Sequence, residues 1–187
     1  QYAAGNYTDA VKTLEALVAI YSDGKDWKQV VEYKRQILDN VIDPAERFRI
    51  LNEIGDIWAD LDKNLPKALE AFEEALEIEP HNHVLLHKLV QHYQGVHAWT
   101  KLIETLDRIA QLESNPERKA KYLYTMAQLY RDQDNGEKAV EYFNLALDHD
   151  ASSLKAFEAI NKILTTQRDW KGLERAFRKM LHRASGK

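Results

Sequence analysis

Three tryptophans divide the chain into intervals of nearly equal length. Trp27, Trp99 and Trp170 lie 72 and then 71 residues apart, and each follows a break, at Gly24, Gly95 and Arg168-Asp169. Seventeen residues after the first two come Pro44 and Pro116, each behind a capping residue, Asp43 and Asn115. Trp58 returns as Tyr130, Ala68 as Ala139, Phe72 as Phe143 and Ala75 as Ala146. A chain that repeats itself in this way is an array, in which each element buries its apolar face on its neighbours.

The best-defined stretch of the array is Leu51 to Pro80. Leu51, Ile54 and Trp58 are spaced three and four residues apart, one face of a helix, and Gly55 lies on the same face, where a second helix can come close. Asn64, Leu65 and Pro66 break the pattern as a helix start does. Ala68, Phe72 and Ala75 then form a second stripe that ends at Glu79-Pro80. Leu51, Ile54, Gly55, Trp58, Ala68, Phe72 and Pro80 together resemble a tetratricopeptide repeat, with Leu51 in place of its tryptophan and Trp58 in place of its tyrosine. The turn before Ala68 is one residue longer than the family pattern.

The periodicity predicts ten helices in five pairs, at about 7–40, 44–80, 81–113, 116–150 and 152–183, with no strand and no linker long enough to separate domains. Gln1 to Gly5 reads as the end of an earlier helix, and Ala184 to Lys187 as an unstructured tail. Trp170, Leu173, Phe177 and Met180 read as the core face of the last helix. The fold class the resemblance implies is all-α, a right-handed α-solenoid of tetratricopeptide type forming a single domain over 1–187. In the third pair larger apolar residues replace the small ones, which predicts an altered packing distance.

Composition narrows the function further. The 187 residues are 44% apolar with a net charge of −4, which argues against nucleic acid as a default partner. With no cysteine, thiol catalysis and thiolate metal sites are excluded. No apolar run reaches the length of a membrane span and no signal peptide is present. The chain opens at Gln1 directly beside a helix signal, which reads as a fragment or processed form; the cytoplasm is slightly favoured as its location.

No residue set reads as catalytic, and no cofactor is expected. Five histidines, His81, His83, His87, His92 and His97, crowd one region, and His83 and His87 share a helix face. A metal site there lacks a third ligand, so polar surface is the reading. The acidic run Glu70, Glu73, Glu74 and Glu77 is read as a solvated outer face. The last helix is basic: Arg168, Lys171, Arg175, Arg178, Lys179, Arg183 and Lys187 stand against Asp169 and Glu174. That is either a solvated face or a patch for a phosphate or an acidic partner.

The resemblance implies a protein-interaction scaffold that is not an enzyme, with a concave groove lined by the first helix of each pair. A regulatory domain sensing a peptide or small ligand is the alternative. The groove-facing residues would be Arg49, Asn52 and Asp56 in the second pair and His87 and Gln91 in the third. Lys121, Tyr124 and Gln128 follow in the fourth, and Lys155, Glu158 and Lys162 in the fifth. Asp56 and Gln91 stand where a carboxylate clamp would need asparagines, so that chaperone-type activity is not expected. The partner is a protein or peptide, with the lysines favouring an acidic or phosphorylated segment; oligomeric state is left open.

Overall fold

The structure, a computed structural model, describes residues 2–185, with side chains from residue 9 onward. It holds ten α-helices and, among the described residues, no strand. The chain divides into two compact units, Gln1–His92 and Tyr93–Lys187. The first contains α1 (Tyr2–Asp23), α2 (Trp27–Asn40), α3 (Pro44–Asp56) and α4 (Leu65–Ile78), with α5 (His83–Gly95) crossing the boundary. The second contains α6 (Trp99–Leu112), α7 (Pro116–Asp132), α8 (Gly136–His149), α9 (Leu154–Thr166) and α10 (Trp170–Ser185). Within the units α1 packs on α2, α3 on α4, α7 on α8 and α9 on α10, and successive pairs join through α2 with α3 and α8 with α9. Residues 2–5 belong to α1 itself rather than to an earlier helix, and α10 runs through Ala184 and Ser185; Gly186 and Lys187 lie outside the described residues.

Helix starts are specified one by one. Asp26, Asp43, Asn64, Asn115 and Asn135 each accept a hydrogen bond from the backbone N–H three residues on, at Gln29, Glu46, Lys67, Arg118 and Lys138. Asn82 and Asp169 do the same for Leu85 and Gly172. Each such cap satisfies a donor that a helix start would otherwise leave unpaired. Pro44 and Pro116 open α3 and α7, where the missing N–H costs nothing.

The turns inside the pairs share one geometry. In four of them the cap N–H returns to a carbonyl five residues back: Asp26 to Tyr21, Ala98 to Tyr93, Asn135 to Tyr130 and Asp169 to Leu164. The residue before each cap is left-handed, and none is a glycine: Lys25, His97, Asp134 and Arg168, with φ of 57°, 57°, 58° and 55°. The glycines at the breaks, Gly24 and Gly95, are not the left-handed residues. In the second pair Lys63 plays this part with φ 59°, but Asn64 reaches six residues back, to Trp58. The extra residue seen in the sequence is absorbed as a π-helical turn, Ile57–Leu61, at the end of α3.

Packing inside the pairs turns on one small position. A Cβ at Gly55 would sit 2.3 Å from the Phe72 ring, which fills the space against α3. In the fourth pair Ala127 holds the equivalent place, and Phe143 is buried in one cluster with it. The fifth pair has Asn161 there, and its Oδ1 is buried with no hydrogen-bond partner. Its ring, Phe177, is 48% exposed, and Trp170 and Leu181 are 61% and 69% exposed. The expected core face of α10 is therefore corrected. Gly172, Ala176, Leu173 and Met180 turn inward, whereas Trp170 and Phe177 stay largely exposed, Phe177 meeting the Phe157 ring edge to face.

Candidate functional site

Of the expected groove residues in the first unit, most are engaged by neighbours. Arg49 is held by Glu46 and Glu53 on its own helix, and the Arg49 guanidinium keeps the Glu46 carboxyl below the usual carboxylate range. Lys34 of α2 meets the other oxygen of Glu53 at 2.6 Å. Asn52 donates to the Phe48 carbonyl at 3.1 Å, and Asp56 receives Lys88 Nζ at 2.6 Å. Lys88 also lies over the Phe72 ring, 4.8 Å from its centroid, and His92 stacks on that ring at 5.4 Å. Burial, with Lys88 adding to it, pushes the His92 imidazole below its ordinary pKa; Asp60 and Asp56 oppose the shift. His87 and Gln91 are exposed on α5. The first unit thus presents charges that are largely neutralised in place.

The second unit is different. Lys121, Tyr124 and Thr125 of α7 and Lys155 of α9 line one cavity of about 380 Å3, floored by Ala120 and Ala146 and edged by Asp150 and Ser153. Neither lysine has an ion-pair partner among the described residues. Asp150 Oδ1 accepts the Ser152 N–H at 3.0 Å and its hydroxyl at 2.6 Å. Tyr124 is held by Phe143, ring edge to ring face at 5.2 Å. The site combines two unpaired cations, a rigid aromatic and two hydroxyl residues, which suits a carboxylate or phosphate beside an apolar group.

The other expected residues do not join it. Lys162 lines a separate cavity of about 280 Å3 with Arg131, Asp134, Ala159 and Thr166, Glu158 is exposed on α9, and Gln128 is half-buried on α7. Sequence reasoning missed a further cleft of about 380 Å3 between the start of α8 and α10, lined by Gly136, Glu137, Asp169, Gly172, Arg175 and Lys179. Its signal was the pair of glycines at helix starts, Gly136 and Gly172. Glu74, expected to be solvated, instead takes both guanidinium nitrogens of Arg35 at 2.5 and 2.9 Å and ties α4 to α2. Among the described residues no group of three or more His, Asp or Glu is placed to hold a metal ion, and no described helix is long and apolar enough to cross a membrane.

Comparison with known proteins bears on the fourth pair, the one that holds the cavity. The family model for the tetratricopeptide repeat matches residues 120–152, from the cavity floor in α7 through α8 to the turn before α9. No curated protein matches the chain in sequence. Among solved structures, a tetratricopeptide repeat protein from Parabacteroides merdae ATCC 43184 aligns at 18% identity over 95% of this chain and 68% of its own, with a TM-score of 0.49. A crystal structure of MamA protein aligns at 13% identity over 94% and 92%, TM-score 0.49. MamA from Desulfovibrio magneticus RS-1, from its position 41 to the end, aligns at 16% over 96% and 98%, TM-score 0.46. At such identities and scores the assignment rests on the sequence match and on the helix pairs, capped and spaced as described. Residues 120–152, the fourth helix pair, are therefore a tetratricopeptide repeat.

Proposed function

We propose that the chain is a non-enzymatic scaffold that holds a segment of a protein partner against the first helices of its fourth and fifth pairs. The convergence of Lys121, Tyr124 and Lys155 on one cavity carries this reading. Two cations without partners attract an acidic or phosphorylated side chain, and the flat Tyr124 surface takes an apolar neighbour of it. Arg49 and Asp56 contribute less, because binding there would first break contacts already made to Glu46, Glu53 and Lys88.

Selection from a randomised peptide library on the whole chain is the direct test. The recovered peptides are expected to carry acidic residues, and Lys121→Glu with Lys155→Glu should weaken them at least about tenfold, or about 1.4 kcal/mol. Both side chains are exposed, so the melting curve should stay where it is. Recovered peptides that bind the double variant as well as the parent would place the partner elsewhere on the molecule.

A further inference from the structure

The second helices of the pairs can be laid on one another by counting from their caps. The eighth residue is Phe72 in α4, Leu106 in α6 and Phe143 in α8, all buried, and in α10 it is Phe177. The twelfth is Leu38 in α2, Ala110 in α6 and Leu147 in α8, again buried, and in α10 it is Leu181. In the fourth pair, α9 closes this edge. Its Ala156, Ile160 and Leu164, four residues apart, belong to the same buried cluster as Phe143 and Leu147. On α10 the same edge is open. Trp170 lies on the same edge two turns before Phe177, and Phe157 of α9 borders it, edge to face with Phe177 at 5.1 Å. Contiguous exposed rings and leucines of this kind mark a surface that something covers.

The register says what shape fits, because the same edge of α8 is covered by a helix, α9. Charge says what kind of helix. Advancing 100° per residue around α10, the apolar edge gives way to Glu174 and then to Arg178, Lys171 and Arg175, all exposed. Lys171 and Arg175 have no acidic partner among the described residues, and Arg178 has only the exposed Glu174 at 2.6 Å. The opposite flank is α9 itself, so only one side of the edge is basic. A lipid surface would favour cations on both sides of an apolar stripe, whereas a helix lying in the edge meets them on one.

We propose that the edge formed by Trp170, Phe177 and Leu181 is a docking site for an amphipathic helix of a protein partner. That helix carries apolar residues at four-residue spacing and acidic residues on the flank meeting Lys171, Arg175 and Arg178. The site is separate from the cavity at Lys121 and Lys155 and does not depend on it.

Three labelled peptides titrated against the whole chain, read by fluorescence anisotropy, test this. One has an Ala, Ile, Leu stripe at four-residue spacing with glutamates on one flank. The second has lysines in place of the glutamates, and the third is the first with its stripe scrambled. The glutamate peptide should bind at least about tenfold tighter than either control. Leu181→Glu alone, and Lys171→Glu with Arg178→Glu, should each weaken it about tenfold without moving the melting curve, since all three side chains are exposed. Equal binding of the three peptides, or no binding at all, overturns the proposal. So does binding that survives Leu181→Glu but fails with Lys121→Glu and Lys155→Glu, which would move the peptide to the cavity. Leu181-dependent sedimentation with phosphatidylglycerol vesicles in place of peptide binding would assign the edge to lipid. A concentration-dependent dimer lost in Leu181→Glu would assign it to a second copy of the chain.

Discussion

A single asparagine separates the fifth pair from the second and fourth. Asn161 holds a position that Gly55 and Ala127 keep small, with a buried oxygen that finds no donor. Asn161→Ala should therefore stabilise the protein, by about 1–3 kcal/mol if the unsatisfied group is the whole cost, and Phe177 should lose exposure. A urea melt gives the first and accessibility of residue 177 to a surface label the second; a destabilised variant would mean that Asn161 has a partner in solution. The rings themselves should differ in the same sense. Phe72→Ala and Phe143→Ala are each expected to cost about 3–5 kcal/mol, the usual range for a core aromatic, and Phe177→Ala less than about 1 kcal/mol. His92 adds a pH dependence to the first unit. Its folded-state pKa is depressed, chiefly by burial, so the unfolded chain takes up the proton more readily. The stability it affects is intact above the unfolded pKa of about 6.5 and falls as pH drops through that value toward the folded one. Melts at about pH 7.5 and 5, bracketing that pKa, should converge when His92→Gln is compared with the parent; an unchanged gap would assign the effect to other groups.

The elements were legible in the sequence to the extent that local rules decide them. Helix starts were readable because Asp43, Asn64 and Asn115 are caps whose function lies within three residues, and the stripes were readable because they recur. The inward side of α10 was not. Trp170 and Phe177 keep the helical spacing of a core face, but spacing does not say whether a helix lies over that face, and on α10 both stay exposed. The cavity at Lys121, Tyr124 and Lys155 was half-legible: the residues could be named, but their convergence, and the separation of Lys162 from them, depend on how α7 and α9 pack around α8. The π-helical turn was visible only as a miscount, ten residues from Trp58 to Ala68 against nine from Tyr130 to Ala139. That miscount makes a test. Deleting Asp60 should restore a five-residue closing bond from Asn64 and leave a helical, cooperatively melting protein. Deleting Glu141 from the middle of α8 would swing the faces of that helix by 100° per residue and unfold its pair. Circular dichroism melts of the two deletions should separate them; equal damage would mean that the π turn is required.

At the scale of the whole molecule, burial is distributed unevenly along the array. Among its described side chains α1 has none that is fully buried, whereas α7 and α8 bury Leu123, Met126, Ala127, Ala139, Phe143 and Leu147. Protection should follow, with amides of residues 9–23 exchanging faster than those of 120–147 by at least about tenfold. Native-state hydrogen exchange reads this directly, and equal protection would reveal a contact covering α1. The turns carry a different consequence. Connections between helices are ordinarily where a protease nicks a folded chain. Lys25, Lys63 and Arg168 are trypsin targets placed in just such connections, yet each is held left-handed between a closing backbone bond and a side-chain cap. A protease must draw its substrate into an extended form, which these residues cannot adopt while their pair is intact. Cleavage after them therefore reports the opening of a whole helix pair, making trypsin a clock for local unfolding in each unit.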